Sequence, residues 1–188
     1  METKKQKILQ ISKELGLAHI GSCLSVLPIL EEIYSKKKPE DLVILDGAHA
    51  HLAHLMFTDP DNASESIQKH GIHCEQLAGC DVSGGSLGHA CGIAIGMALA
   101  NPNIDIYVIF TDGSIQEGSN WEALRIREHF KLYNIKCYFN LNSYTAIEKI
   151  DRVELSDRIL SFCSDAQIKF TDNGWEYDGI EGHYMKAI

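Results

Sequence analysis

Apolar residues along the chain fall into two rhythms, the spacing of amphipathic helices and short unbroken runs bounded by turn residues. Lys4 to Leu15 carries Ile8, Leu9, Ile11 and Leu15 with lysines between them and Gly16 behind, which predicts an amphipathic helix stopped by a glycine. Leu24 to Tyr34 predicts a second, more apolar helix with Pro28 near its start. Leu42 to Leu45 reads as a short strand, followed by a helix through His49, His51 and His54 and another over Asn62 to Lys69. After the turn Gly84-Gly85-Ser86-Leu87-Gly88, the Ala- and Gly-rich stretch His89 to Ala100 predicts a helix packed closely on a sheet. The β-branched and aromatic run 104–110, a helical stretch 115–132 and a second run 135–141 predict strand, crossover helix and strand, right-handed in a parallel sheet. Beyond them, a helix near Val153 to Cys163, a strand around Trp175 to Tyr177 and a terminal turn after Gly182 are expected. The whole reads as one α/β domain over 1–188, with no repeat, linker or low-complexity segment.

Composition narrows the function classes. A chain of 188 residues, 45% of them apolar, can bury a substantial core. The net charge of −9, without a basic block, argues against nucleic acid and anionic membrane as partners. No stretch approaches the ~18 apolar residues of a membrane span, and the amino-terminal segment leads into no signal-peptide core, so the cytoplasm is the default expectation. Cys23, Cys74, Cys80, Cys91, Cys137 and Cys163 show neither Cys-x-x-Cys spacing nor the density of a secreted scaffold, and are expected to be reduced core or loop thiols.

The informative pair is Asp112, where the first strand stops at Thr111-Asp112-Gly113, and Asn142, where the second ends at Asn140-Leu141-Asn142. Their separation, roughly 30 residues, is that of one strand, helix and strand, which brings both to the carboxyl ends of neighbouring strands, where such sheets bind ligands. A carboxylate and an amide oxygen there, with little basic charge nearby, suit a hard cation such as Mg2+, often accompanied by a phosphate.

The pair and its surroundings resemble the thiamine-diphosphate motif in its transketolase version: Asp112, Gly113, Gln116, Glu117, Gly118, Trp121, Glu122, Ala123, Lys131, Leu132 and Asn134 stand where that family has the same residues. The resemblance implies a three-layer α/β/α fold with a mainly parallel sheet. It also implies thiamine diphosphate and Mg2+ as cofactors, the metal held by Asp112, Asn142 and the backbone carbonyl of Tyr144. Ala18-His19-Ile20-Gly21 resembles the family's Gly-His-Pro-Gly, so His19 inherits a place facing the substrate. In the segment Asp41 to Ala50, His49 falls on the histidine that hydrogen-bonds the diphosphate, while Asp46-Gly47-Ala48 replaces Ser-Lys-Gly, removing a cation and adding an anion. Gly71-Ile72-His73 places His73, with His70 as its nearest rival, on a further active-site histidine. Gly85 and Leu87 match residues that approach the aminopyrimidine, and Gly113 lets the diphosphate come close. Thr111 replaces the family's first glycine and, being β-branched, restricts the turn. Glu117 matches an acid at the subunit interface, in a carboxylate network linking active sites. A zinc site from His49, His51 and His54 is the competing idea; spacings of two and three do not put all three rings on one helical face, and no cysteine or acid completes a familiar pattern.

Nothing in the chain resembles the family's second, pyrimidine-binding domain, and the family's Lys-Gly-Lys-Gly segment and distal Trp-His-Gly are missing. The resemblance therefore implies the amino-terminal subunit of a split transketolase, in a homo- or hetero-oligomer, hardly active without a carboxyl-terminal partner. With it, the expected reaction moves a two-carbon ketol unit between sugar phosphates, His19 and His73 handling hydroxyl protons and His49 steadying the diphosphate. Three alternatives stand beside this: a deoxyxylulose-phosphate-synthase-like fragment, a non-catalytic module acting by partner binding, and a nicotinamide-binding domain, the last disfavoured for lack of Gly-x-Gly-x-x-Gly after a strand.

Overall fold

The computed structural model describes residues 3–172 and 180–186. Helix α1 (Lys4–Leu15) opens on a reciprocal cap in which the Thr3 hydroxyl accepts from the Gln6 N–H and the Gln6 side chain accepts from the Thr3 N–H, and it closes on Gly16 at φ 60°. Helix α2 (Ile20–Tyr34) begins a full turn before the expected Leu24. Ile20 and Cys23 are buried and extend the apolar face of Leu24 and Leu27, a continuation that the intervening Gly21 and Ser22 obscure in the sequence. Pro28 consequently lies inside the helix rather than near its start; it is exposed, and its missing N–H costs one internal hydrogen bond.

Strands β1 (Leu42–Leu45), β2 (Ile106–Thr111), β3 (Ile135–Leu141) and β4 (Gln167–Phe170) form a parallel sheet in that spatial order. The expected strand at Trp175 to Tyr177 lies outside the described residues. Strand β4, which pairs with β3, reads Gln-Ile-Lys-Phe, and its half-exposed side chains give no apolar run to read. Helices α3 (His51–Thr58) and α4 (Ala63–His70) follow β1, α5 (Ala90–Ala100) leads into β2, α6 (Gly118–Phe130) links β2 to β3, α7 (Arg152–Phe162) links β3 to β4, and α8 (Glu181–Tyr184) is short.

Because each strand is added on the same side of the last, right-handed crossovers deliver α5, α6 and α7 to one face. That face buries Ile44, Val108, Phe110, Cys137, Phe139 and Leu141, with the Phe110 and Phe139 rings stacked 4.6 Å apart. The alternate residues Val43, Leu45, Tyr107, Ile109 and Tyr138 face α1, α2 and α3. The expected three-layer α/β/α arrangement is thus present. All six cysteines are free and buried. Among the described residues, no helix is long and apolar enough to cross a membrane.

Candidate functional site

In the β2–β3 register Thr111 lies opposite Asn140, so Asp112 and Asn142 emerge side by side from adjacent strand ends. Asp112 is buried, and its carboxylate accepts from the N–H of Asn142 (2.7 Å) and of Ser143 (3.2 Å). Burial pushes it up to about 6 in spite of those bonds. The Asn142 side-chain oxygen accepts from the Tyr144 N–H at 3.0 Å. Ser143 sits at φ 76°, a left-handed conformation that non-glycine residues seldom adopt, and there the chain turns back so that Tyr144 bridges to Lys149.

Above this pair opens a cavity of about 240 Å3 that brings together His19, His49, His73, Gly85, Leu87, Gly113, Asn142 and Tyr144. One wall is imidazole. The rings of His19 and His49 are 4.7 Å apart, His183 lies 6.1 Å from His19, and His73 stands beside Gly85. His19 is held in a left-handed conformation at the start of α2, φ 60°, with its N–H donated to the His183 carbonyl. Burial pushes His49 down to about 3, with His19, His183 and His73 adding to it. His19 is lowered by burial and then by His183 and His73, and burial lowers His183. These three are neutral near pH 7, able to give or take hydrogen bonds from hydroxyl groups. The His19 Nδ1 is buried without a partner, the kind of orphan that a ligand satisfies. His70 ends α4 and lines no part of the cavity.

Two departures from the family pattern have structural explanations. Asp46 adds an anion where the family has none, but not at the phosphate site. Its carboxylate is instead buried and accepts from the N–H groups of Gly88, His89 and Ala90 and from the Asn120 side-chain amide, so its charge is absorbed by the amino terminus of α5. Thr111 and Ser114 exchange backbone-to-hydroxyl bonds that close the turn, and the Thr111 methyl occupies the space left by Gly47, where a Cβ would approach it to 2.7 Å.

A hollow of about 230 Å3 adjoins the cavity through Ser22, Asn142, Tyr144 and His183, and it carries Lys149 and Arg152. These cations overturn the expectation of little basic charge nearby. They belong to the hairpin 144–149 and the first turn of α7, and only the return of the chain at Ser143 brings them back to Asn142. His183, in the terminal segment after Gly182, carries no expected role in the sequence and nonetheless lines the cavity. Glu117, in contrast, is exposed at the start of α6 and does not line the cavity.

The donor set is one of hard oxygens beneath a polar wall with two cations beside it, which fits a divalent ion carrying a phosphorylated ligand. Gly113 adds a cradle: a Cβ there would meet Leu87 at 3.7 Å, Thr145 at 3.9 Å and Thr111 at 4.0 Å, all ordinary contacts, so internal packing does not demand the glycine and its bareness keeps cavity space.

Comparisons with known proteins give the family and the fold. Residues 2–154 match the family model described as 1-deoxy-D-xylulose-5-phosphate synthase. Transketolase-like protein 2 of Mus musculus is 30% identical over 90% of this chain, which covers 30% of that protein. The 6-deoxy-6-sulfo-D-fructose transketolase subunit SqwG of Clostridium sp. (strain MSTE9) is 29% identical over 98% of this chain, and 74% of that subunit is covered. A Pichia stipitis transketolase structure matches with a TM-score of 0.64 at 16% identity, over 92% of this chain and 36% of that one. The chain spans about a third of the length of the first curated relatives it matches, 38%, 30% and 30%. With most of its length matched by that family model, the chain belongs to the transketolase-related family described as 1-deoxy-D-xylulose-5-phosphate synthase.

Proposed function

We propose that this chain is the amino-terminal, diphosphate-binding subunit of a split transketolase, acting in the cytoplasm with a separate carboxyl-terminal subunit. The observation that carries the reading is the buried Asp112 beside Asn142 at neighbouring strand ends, under a cavity walled by histidines. Asp112, Asn142 and the Tyr144 carbonyl would hold Mg2+, while His49, the Gly113 backbone, Lys149 and Arg152 would take the diphosphate. Gly85 and Leu87 would approach the aminopyrimidine. Thiamine diphosphate, when bound, supplies the electron sink for breaking a carbon–carbon bond. The residues of this chain bind and orient: His19 and His73, opening on the cavity, hold hydroxyl protons of a sugar phosphate, and the neutral His19 can do so without an imidazolium charge.

Partner association has its own support. SqwG is named as a subunit. Helix α5 is apolar on every side and leaves Ile93 and Leu99 exposed, and Glu117 is exposed at the neighbouring start of α6. We assign Glu117 to that interface rather than to the cavity.

Calorimetry of thiamine diphosphate with Mg2+, on the chain alone and with a carboxyl-terminal subunit of the same family, tests the reading. Binding lost in Asp112→Ala and Asn142→Ala supports it, and tight binding untouched by both would sink it. The match to the 1-deoxy-D-xylulose-5-phosphate synthase model favours a second reading, a fragment of such a synthase. Product analysis separates the two: ketol transfer between sugar phosphates, or between sulfonated sugars as the name of SqwG suggests, supports the first, and carbon dioxide release from pyruvate supports the second.

A further inference from the structure

Behind the histidine wall, on the α1–α3 side of the sheet, lies a second cluster that the cavity does not use. His54, Cys74 and Cys80 are buried, and one ligand atom from each lies within 4.8 Å of the other two. The Cys80 Sγ is 3.6 Å from the His54 Nδ1, and the His54 Nε2 is 2.7 Å from the Tyr34 hydroxyl. His51 precedes His54 by three residues on α3, so both project from one helix face. It is fully buried, and neither of its ring nitrogens has a hydrogen-bond partner.

We propose that His54, Cys74 and Cys80 form a structural zinc site, with His51, the buried neighbour on α3 that lies outside that trio, turning its ring inward as the fourth donor. Two thiolates and two neutral imidazoles are a zinc donor set, and Zn–S and Zn–N bonds of ~2.3 and ~2.0 Å put ligand atoms ~3.3–3.8 Å apart. The Cys80 to His54 separation already has that value. The ion accounts for what hydrogen bonding leaves over. It gives one of the two bare ring nitrogens of His51 a partner, and it fixes His54 with Nδ1 on the metal and Nε2–H donated to Tyr34, an outer contact of the kind that orients zinc-bound histidines. The charges of the two thiolates cancel that of the ion. The other such cluster among the described residues, Glu128, Cys163 and Asp165, already holds a cation, since Arg127 pairs with both carboxylates.

The site would be closed and its role positional. The Cys74 N–H donates to the Ala48 carbonyl, and the Cys74 carbonyl accepts from the Gly84 N–H. Zinc on Cys74 would therefore pin the loop bearing His73 and Gly85 to the segment bearing His49. That role does not depend on which reaction the cavity supports.

The test uses the full chain purified in reducing buffer without chelator. Elemental analysis is expected to find one zinc per chain, and exchange into Co2+ to give the d–d bands of a tetrahedral site and a thiolate charge-transfer band. Cys74→Ser and Cys80→Ser should lower the metal content at least tenfold while Cys163→Ser leaves it unchanged. Tyr34→Phe, a milder change, should weaken zinc affinity by about 10- to 100-fold. Zinc retained in both Cys74→Ser and Cys80→Ser, a native chain that takes up neither zinc nor cobalt, or an intact mass showing a Cys74 to Cys80 disulfide without zinc would each overturn the proposal. Should the serine variants fail to fold, the cobalt spectrum of the native chain and the Tyr34→Phe affinity still decide.

Discussion

Gly113 has φ −70° and ψ −43°, a conformation open to any L-residue, and a methyl at that position meets its neighbours only at ordinary contact distance. Gly113→Ala should therefore fold with stability unchanged or raised by up to about 1 kcal/mol. The same variant should bind thiamine diphosphate at least tenfold more weakly, because the methyl occupies ligand space; thermal unfolding and calorimetry on one preparation read both effects. Asp46 behaves in the opposite manner. It accepts from three backbone N–H groups and one amide, so Asp46→Ala should cost about 2–4 kcal/mol in urea unfolding, beyond an ordinary cap, by orphaning buried donors. Asp112, Asn142, His19, His49 and His73 were legible because each stands at a local signal, a strand end or a glycine turn. Asp46 was not, because its partners lie on α5 and α6, far along the chain, and no local pattern announces them.

Helix α2 reaches over the sheet to the carboxyl ends of β2 and β3, and its first turn places Ser22 in the cavity. Its other end is tied to β4 by Glu32, which pairs with Lys169 at 2.6 Å and Lys36 at 2.8 Å and accepts from the Tyr138 hydroxyl. Lys169, then Lys36, hold Glu32 at about 2, below its ordinary value. A carboxyl depressed in the folded state stabilises fully above its unfolded value and loses that contribution as pH falls. The advantage of the native chain over Glu32→Gln, at most about 1 kcal/mol for so exposed a carboxylate, should be whole near pH 6 and vanish on approach to pH 2. Urea unfolding across that range checks it. The exposed apolar side of α5 carries a different expectation: Ile93→Lys with Leu99→Lys should leave monomer stability within about 0.5 kcal/mol of native and abolish association with a partner subunit in sedimentation. The central crossover and α5 were legible because buried elements carry unbroken apolar runs. The start of α2 and strand β4 were not, since small residues and an alternating edge strand blur the period.

At the scale of the whole molecule, a parallel α/β domain followed from the succession of runs, but the order of strands did not. It is set by crossover handedness and by which face each helix covers, which only the assembled sheet displays. The order makes the two halves of the site unequal. Asp112 and Asn142 close over 30 residues, whereas the β1 end joins β2 only across the 64 residues separating Asp41 from Asp105. Each doubling of loop length costs about 0.6 kcal/mol of closure entropy, so β2, α6 and β3 should form the folding nucleus and β1 dock later. Phe139→Leu is expected chiefly to slow refolding and Val43→Ala chiefly to speed unfolding, a contrast that stopped-flow chevrons resolve. During synthesis the same geometry imposes a wait. At about 5–20 residues per second, β1 leaves the ribosome roughly 3–13 s before the strand that shelters it, and for that interval Val43, Ile44 and Leu45 have no sheet to join, which makes the newborn chain a client for chaperones before it is a candidate for any cofactor.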